Sequence, residues 1–312
     1  MSKEVDISVD FAGLRLANPV FTASGTCGYA DELADFMDVN LLGGIITKSI
    51  TRKPRKGNAT PRIVETDSGM LNAIGLANIG LEAFVEEKLP VIAELGAAVF
   101  VNVAGERIDD YVAVAERLAG EKAIAGLELN ISCPNVAKGG ITFGTDPELV
   151  TEITSAVKKA AGEKVLMVKL SPCVTDISVT ARAAVEAGAD ALSLVNTFTA
   201  MVIDAETRRA VLANKTGGLS GPAIKPMALY MVNKVYNEVA KDSGVPILGT
   251  GGIRTATDAV EFMIAGASAV AVGTWNFIEP DCTLKIVEGI KKYCARNKLT
   301  NVKELIGSLA TG

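Results

Sequence analysis

Eight short runs of small and branched apolar residues recur along the 312-residue chain, separated by longer helix-period segments. They occupy residues 20–24, 44–48, 98–103, 126–130, 165–170, 191–196, 246–250 and 269–273. Most are apolar throughout instead of alternating, the pattern of parallel strands covered on both faces. The clearest helical segment covers 146–162. There Asp146 is placed as N-cap, Pro147 suits the first turn, Gly162 ends the helix, and Leu149, Val150, Ile153 and Val157 form the apolar stripe. A weak repeat, Glu94-Leu-Gly-Ala97, Glu186-Ala-Gly-Ala189 and Ile264-Ala-Gly-Ala267, leads into three of the strands.

Length alone suggests two domains of ~150 residues, yet α/β barrels of this size form one. No linker-like stretch divides the chain, so we expect a single domain over 1–312, a (β/α)8 TIM barrel. A β-hairpin over 6–17, turning at Ala12-Gly13, precedes its first strand. A doubly wound open sheet is the competitor, but eight strands without a dinucleotide fingerprint favour the barrel. The long connections at 49–78, 131–145 and 197–224 all follow strands and are enlarged βα loops, which build the active-site face of such a barrel.

There is no histidine in the chain. That removes Ser-His-Asp and Cys-His catalysis, two-His zinc helices and His-ligated haem, and leaves proton transfer to Cys, Lys, Asp, Glu, Tyr or Ser. A net charge of −5 argues against a nucleic-acid or anionic-membrane binder. The five cysteines include no C-x-x-C pair, so no metal site is expected. Reduced thiols and the lack of an apolar export segment at the start point to a cytoplasmic protein. The longest uncharged run, 262–278, carries Gly266, Ser268, Gly273, Thr274 and Asn276, which suit a helix end, a strand and a loop better than a bilayer span.

What stands at the strand ends is the strongest functional signal. In order they offer Ser24-Gly25, Thr47-Lys48-Ser49, Asn102, Asn130, Lys169, Asn196-Thr197, Gly249-Thr-Gly-Gly252 and Gly273-Thr274. Any one of these could cap the following turn; together they describe one polar bowl. Gly251-Gly252 and Gly273-Thr274 follow strands seven and eight, where barrels commonly hold a phosphate on backbone N–H groups. Cys133, in Asn130-Ile-Ser-Cys-Pro-Asn135 after strand four, is a candidate general base among asparagines that suit a planar ring of alternating C=O and N–H groups. The segment 68–78 carries few charges for a loop and is expected to fold over a ligand.

These residues resemble the class 1 dihydroorotate dehydrogenases over essentially the whole chain. The likeness rests on Ala23-Ser24-Gly25-Thr26, Thr47-Lys48-Ser49, Asn72-Ala73-Ile74-Gly75-Leu76, Asn130-Ile-Ser-Cys-Pro-Asn135, Lys169, Asn196-Thr197 and Gly249-Thr-Gly-Gly252. The segment 135–144 is closest to the NAD-linked subclass, and the absence of a membrane-associating N-terminal extension argues against the quinone-linked class. The resemblance implies one FMN per chain and oxidation of (S)-dihydroorotate to orotate in pyrimidine biosynthesis. Cys133 would remove the C5 proton while the C6 hydride passes to FMN. Lys48 would touch flavin and substrate; Asn72, Ala73, Ile74, Gly75, Leu76, Asn130, Asn135, Asn196 and Thr197 would hold the pyrimidine. Ser24, Ser49, Asn102, Asn130, Lys169, Val195, Gly221, Gly251, Gly252, Gly273 and Thr274 would hold FMN, with Lys169 favouring its anionic reduced form. It also implies a homodimer joined to a partner subunit carrying FAD and a 2Fe–2S cluster, a heterotetramer, because this chain has neither cluster spacing nor a Rossmann fingerprint. Two other readings remain: an FMN barrel of the dihydropyrimidine dehydrogenase kind, and a flavin-free barrel that binds a phosphorylated metabolite.

Overall fold

In the computed structural model, which describes residues 5–131 and 143–310, eight parallel strands close into a barrel. They are β1 (Val20–Thr22), β2 (Gly44–Ile46), β3 (Ala98–Val103), β4 (Gly126–Asn130), β5 (Val165–Lys169), β6 (Ala191–Leu194), β7 (Ile247–Thr250) and β8 (Ala269–Val272). Each pairs with its neighbours in sequence, and β8 pairs with β1 to complete the circle. All eight expected runs are strands. Several stop one or two residues short of the expected bounds, because the chain turns outward at the carboxyl-terminal rim. Ladder bonding nevertheless runs on past the last strand residue: the Ala23 N–H donates to Val272 O (2.7 Å), Thr47 to Phe100 O (3.0 Å) and Leu170 to Ser193 O (2.9 Å).

The helices cover the outside. Pro147–Ala161 starts at Asp146, whose carboxylate accepts from the Glu148 and Leu149 N–H groups (2.8 and 3.4 Å), and ends at Gly162 with φ 60°. Its buried stripe is Val150, Ile153, Thr154, Val157 and Ala161; Leu149 is only half-buried, since it lies on the first turn beside the cap.

The hairpin before β1 pairs Val9–Phe11 with Leu14–Leu16. Positive φ at Ala12 (50°) and Gly13 (83°) gives the two-residue turn whose twist matches its strands. Phe11 then packs at a tilt on Phe21 and edge-on against Phe100, with centroids 5.9 and 6.4 Å away, and plugs the lower barrel. Glycines make room for these rings: Gly44 stands opposite Phe21 and Gly126 opposite Phe100.

A second sheet was not legible in sequence. Its antiparallel strands, in spatial order, are Phe198–Ala200, Gly217–Ser220, Gly69–Asn72 and Ile63–Thr66. It joins the two enlarged loops after β2 and β6. Leu71, Ala73 and Leu212 form a small core of their own beside it. The low charge of 68–78 therefore has a structural cause besides any ligand.

Among the described residues no helix is long and apolar enough to cross a membrane. The run 262–278 resolves as the end of the helix Ala256–Ala265, strand β8 and a short 3-10 turn, Thr274–Phe277.

A Cβ on Gly126 would lie 2.5 Å from Val165 O and 2.7 Å from the Phe100 ring. Gly126→Val should therefore destabilise the fold by about 2 kcal/mol or more, read as a lowered midpoint in urea unfolding. An unchanged midpoint would mean that the plug does not set the barrel's lower packing.

Candidate active site

Side chains at the carboxyl-terminal rim are positioned by the barrel register. Asn102 on β3 stands opposite Glu128 on β4, and Asn130 opposite Lys169 on β5. Alternation along β4 sends Gly126, Glu128 and Asn130 to the same inner face. A connected polar layer results. Ser49 Oγ donates to Asn102 Oδ1 (2.5 Å), and Asn102 Nδ2 donates to Glu128 Oε2 (2.5 Å). Lys169 Nζ lies 3.6 Å from that same carboxylate oxygen. Asn130 Nδ2 points to Asn102 Oδ1 at 3.5 Å, and Asn196 Nδ2 to Asn130 Oδ1 at 3.4 Å.

Backbone contacts fix the same residues. The Asn102 N–H donates to Thr47 Oγ1 (3.3 Å), the Tyr111 hydroxyl to Asn130 O (3.0 Å) and the Thr197 N–H to Asn196 Oδ1 (2.8 Å). Asn102 and Glu128 are fully buried; Lys169, at 6% exposure, does not extend to solvent. Lys48 is half-buried beside Ser49 and makes no ion pair among the described residues. Val195 is buried, follows a cis peptide from Leu194, and its N–H donates to Thr250 O (3.0 Å).

The turns after β6, β7 and β8 meet beside this layer. Gly252 has φ 75°, and a Cβ there would meet Gly221 O at 2.8 Å and Lys225 N at 3.0 Å. Gly221 (φ 91°) in turn lies so near Gly69 that a Cβ would be 2.8 Å from its Cα. The helix Lys225–Val235 starts here, with Thr274 Oγ1 donating to Ser220 Oγ (2.8 Å) on the adjoining strand. Lys225 itself is turned away, onto Asp258 (2.6 Å) and Glu261 (2.7 Å). The Ala223, Ile224 and Lys225 N–H groups are bonded to Ser68 O, Gly221 O and Pro222 O, and Pro222 and Pro226 have none, so an anion here would draw on the N–H groups of the Gly251–Gly252 and Gly273–Thr274 turns rather than on the helix start or the lysine.

The family model for dihydroorotate dehydrogenase matches residues 6–294. The chain belongs to the dihydroorotate dehydrogenase family. It is 55% identical over 306 residues to the catalytic subunit of dihydroorotate dehydrogenase B (NAD(+)) from Geotalea uraniireducens, covering 98% of this chain and 99% of that protein. The same subunit from Thermoanaerobacter sp. is 48% identical over 98% of this chain and 99% of its own length. Among solved structures, the Eimeria tenella dihydroorotate dehydrogenase crystallised with ferulenol superposes with a TM-score of 0.81. That match has 27% identity and covers 97% of this chain and 88% of the other.

Within this family fold, Ser49, Asn102, Asn130, Lys169 and Asn196 come together in one bonded layer, while Gly221, Gly251, Gly252 and Thr274 gather at the glycine cradle. Gly273 lies beside Ala23, the neighbour of half-buried Ser24, on the adjoining rim. Asn72 sits on the second sheet, its amide 3.4 Å from Gly218 O, and is followed by Gly75 and Leu76, both with positive φ (73° and 57°). Cys133 and Asn135 lie outside the described residues. Sequence reasoning missed Glu128, although a signal existed: it is the single charge in the otherwise uncharged strand Gly126-Leu-Glu-Leu-Asn130.

Cys27, just past β1, is a packed core residue. It accepts from Thr22 Oγ1 (3.2 Å) and donates to Ile46 O (3.1 Å), and burial pushes its thiol up to about 12. Burial also raises Cys282, to about 12, and Cys294, whereas Cys173 is exposed. An open groove at the other mouth of the barrel, lined by Asp10, Asp190, Tyr236 and Lys241, carries no comparable chemistry; Asp190 is held by Lys158 at 2.5 Å.

Brief treatment of the native protein with a maleimide at pH 8, followed by peptide mapping, should label Cys173 and spare Cys27, Cys282 and Cys294, because only the accessible thiolate reacts. Labelling of Cys27 as fast as Cys173 would contradict its burial.

Proposed function

We propose that this chain is the catalytic subunit of an NAD-linked dihydroorotate dehydrogenase, a single cytoplasmic domain over 1–312 that oxidises (S)-dihydroorotate to orotate for pyrimidine synthesis. The observation that carries the reading is the convergence of Asn102, Asn130, Asn196 and Lys169 on one buried polar layer, with Lys48 at the same rim, in a family member that has no histidine.

The residues present fit FMN. Gly221 and Gly252 let the turns after β6 and β7 touch, since a Cβ on either would strike backbone, and this brings the Gly251–Gly252 and Gly273–Thr274 turns to one rim beside the helix Lys225–Val235. Such a site suits a phosphate monoester. Ser24, Ser49, Asn102, Lys169, Val195, Gly251, Gly273 and Thr274 would hold the rest of the cofactor along the rim. When bound, FMN supplies a two-electron acceptor for the hydride at C6 of the substrate.

The chain's own residues do the remaining work. Cys133 takes the proton from C5, which a histidine-free chain must assign to a group such as a thiolate. Asn72, Asn130, Asn135, Asn196 and Thr197, with the backbone from Ala73 to Leu76, orient the planar ring through paired donors and acceptors. Lys48 would answer the substrate carboxylate and touch the cofactor. The bonds from Asn102 to Asn130 and from Asn130 to Asn196 support this, because they hold the amides ready before a ligand arrives. Electrons then leave through a partner subunit bearing FAD and a 2Fe–2S cluster, bound to a homodimer of this chain.

Cys133→Ala should retain FMN and lose about 10²–10⁴-fold in turnover at neutral pH, the usual scale for a positioned base. Wild-type turnover would remove Cys133 from the mechanism. Dihydroorotate should far outrun dihydrouracil, which lacks the carboxylate; the reverse order would favour the dihydropyrimidine dehydrogenase kind of barrel.

The isolated chain should oxidise dihydroorotate with an artificial dye but leave NAD unreduced until the partner is added. Rapid NAD reduction by the chain alone would contradict the two-subunit account.

A further inference from the structure

Glu128 is fully buried, yet the roles so far assigned do not use it. Its Oε2 receives the Asn102 amide at 2.5 Å and faces Lys169 Nζ at 3.6 Å. Its Oε1 is buried without a hydrogen-bond partner among the described residues. A buried carboxylate that is only half satisfied is costly, so its neighbours are drawn toward it. Asn102 must present Nδ2 to Glu128. That turns Oδ1 toward Ser49 and Asn130, and Asn130 Oδ1 is then left to accept from Asn196. One acid therefore sets the sense of three strand-end amides. It also places a negative charge against the lysine of the neighbouring strand.

We propose that Glu128 is a positioning residue: it orients the Asn102–Asn130–Asn196 amides and holds Lys169 as an ion pair, so that the flavin meets a partly balanced cation instead of a bare one. The inference rests on the FMN reading above. A bare cation stabilises an anionic reduced flavin more than a balanced pair does. The pair therefore holds the flavin potential below the value that Lys169 alone would impose. Restraint of this kind matters where electrons must move on to a second acceptor.

Two substitutions separate the two duties. Glu128→Gln keeps an oxygen for the Asn102 amide and removes the charge. Glu128→Ala removes both. With FMN retained, shown by the flavin absorbance of the gel-filtered protein, Glu128→Gln should move the midpoint potential of the bound flavin to more positive values. Orotate affinity, read from perturbation of the flavin spectrum, should stay within about threefold, since the bond to Asn102 persists. Glu128→Ala should weaken orotate by about tenfold or more, the usual effect of stranding a buried amide donor. In a Lys169→Gln background, the potential shift caused by Glu128→Gln should shrink, because the partner through which it acts is gone.

A Glu128→Gln protein that holds FMN at the wild-type potential would overturn the proposal, as would an equal shift with and without Lys169. If Glu128→Ala fails to fold, Glu128→Gln and the Lys169→Gln pair decide alone. A wild-type chain that takes up no FMN would instead sink the flavin reading itself, so the two failures are distinguishable.

Discussion

Glu128 has no exposed surface, so its carboxylate must find partners inside the barrel wall, and the partners it finds are Asn102 and Lys169. Desolvating a carboxylate costs several kcal/mol even after relaxation, and that cost organises what surrounds it. Asn102 is turned by it, Lys169 is attracted to it, and Asn130 and Asn196 follow from Asn102. The upper barrel is thus a polar layer held together by its own hydrogen bonds. Such preorganisation is what a site for a flat, hydrogen-bonding ring requires.

The lower barrel supplies the rigidity on which this depends. Phe11, Phe21 and Phe100 fill the space under the polar layer, and Gly44 and Gly126 lack the side chains that would collide with them. The fully buried aromatic plug closes the barrel below the acid, so that the carboxyl-terminal mouth is the route of approach. Glycine serves a different end at the rim, where Gly221 and Gly252 let two loops touch. The same residue type allows ring packing at one end and close backbone approach at the other.

Much of this was legible in the sequence because it follows from local period and local ends. The eight apolar runs are the eight barrel strands, and the helix Pro147–Ala161 begins and ends where Asp146 and Gly162 dictate. Asn102, Asn130 and Lys169 were readable as polar residues closing apolar strands, and the register brings them together. The second sheet was not readable, since it pairs Gly69–Asn72 with Gly217–Ser220 across 140 and more residues. Strands of three or four glycine-containing residues leave too few side chains for a period to emerge. Glu128 was missed for a different reason. Alternation within Gly-Leu-Glu-Leu-Asn does not say which neighbours an acid on either covered face would meet. The register that sets Glu128 opposite Asn102 and brings Lys169 beside it is a cross-strand property, which no single strand reveals.

The account stands on the claim that this preformed layer serves a flavin that dihydroorotate reduces. The most direct measurement is an anaerobic titration of the purified, FMN-loaded chain with dihydroorotate, followed by visible absorbance. The account predicts that the oxidised flavin band bleaches in proportion to added substrate, without NAD and without a partner subunit. A flavin band unmoved by excess dihydroorotate, or a chain that takes up no FMN at all, would contradict it.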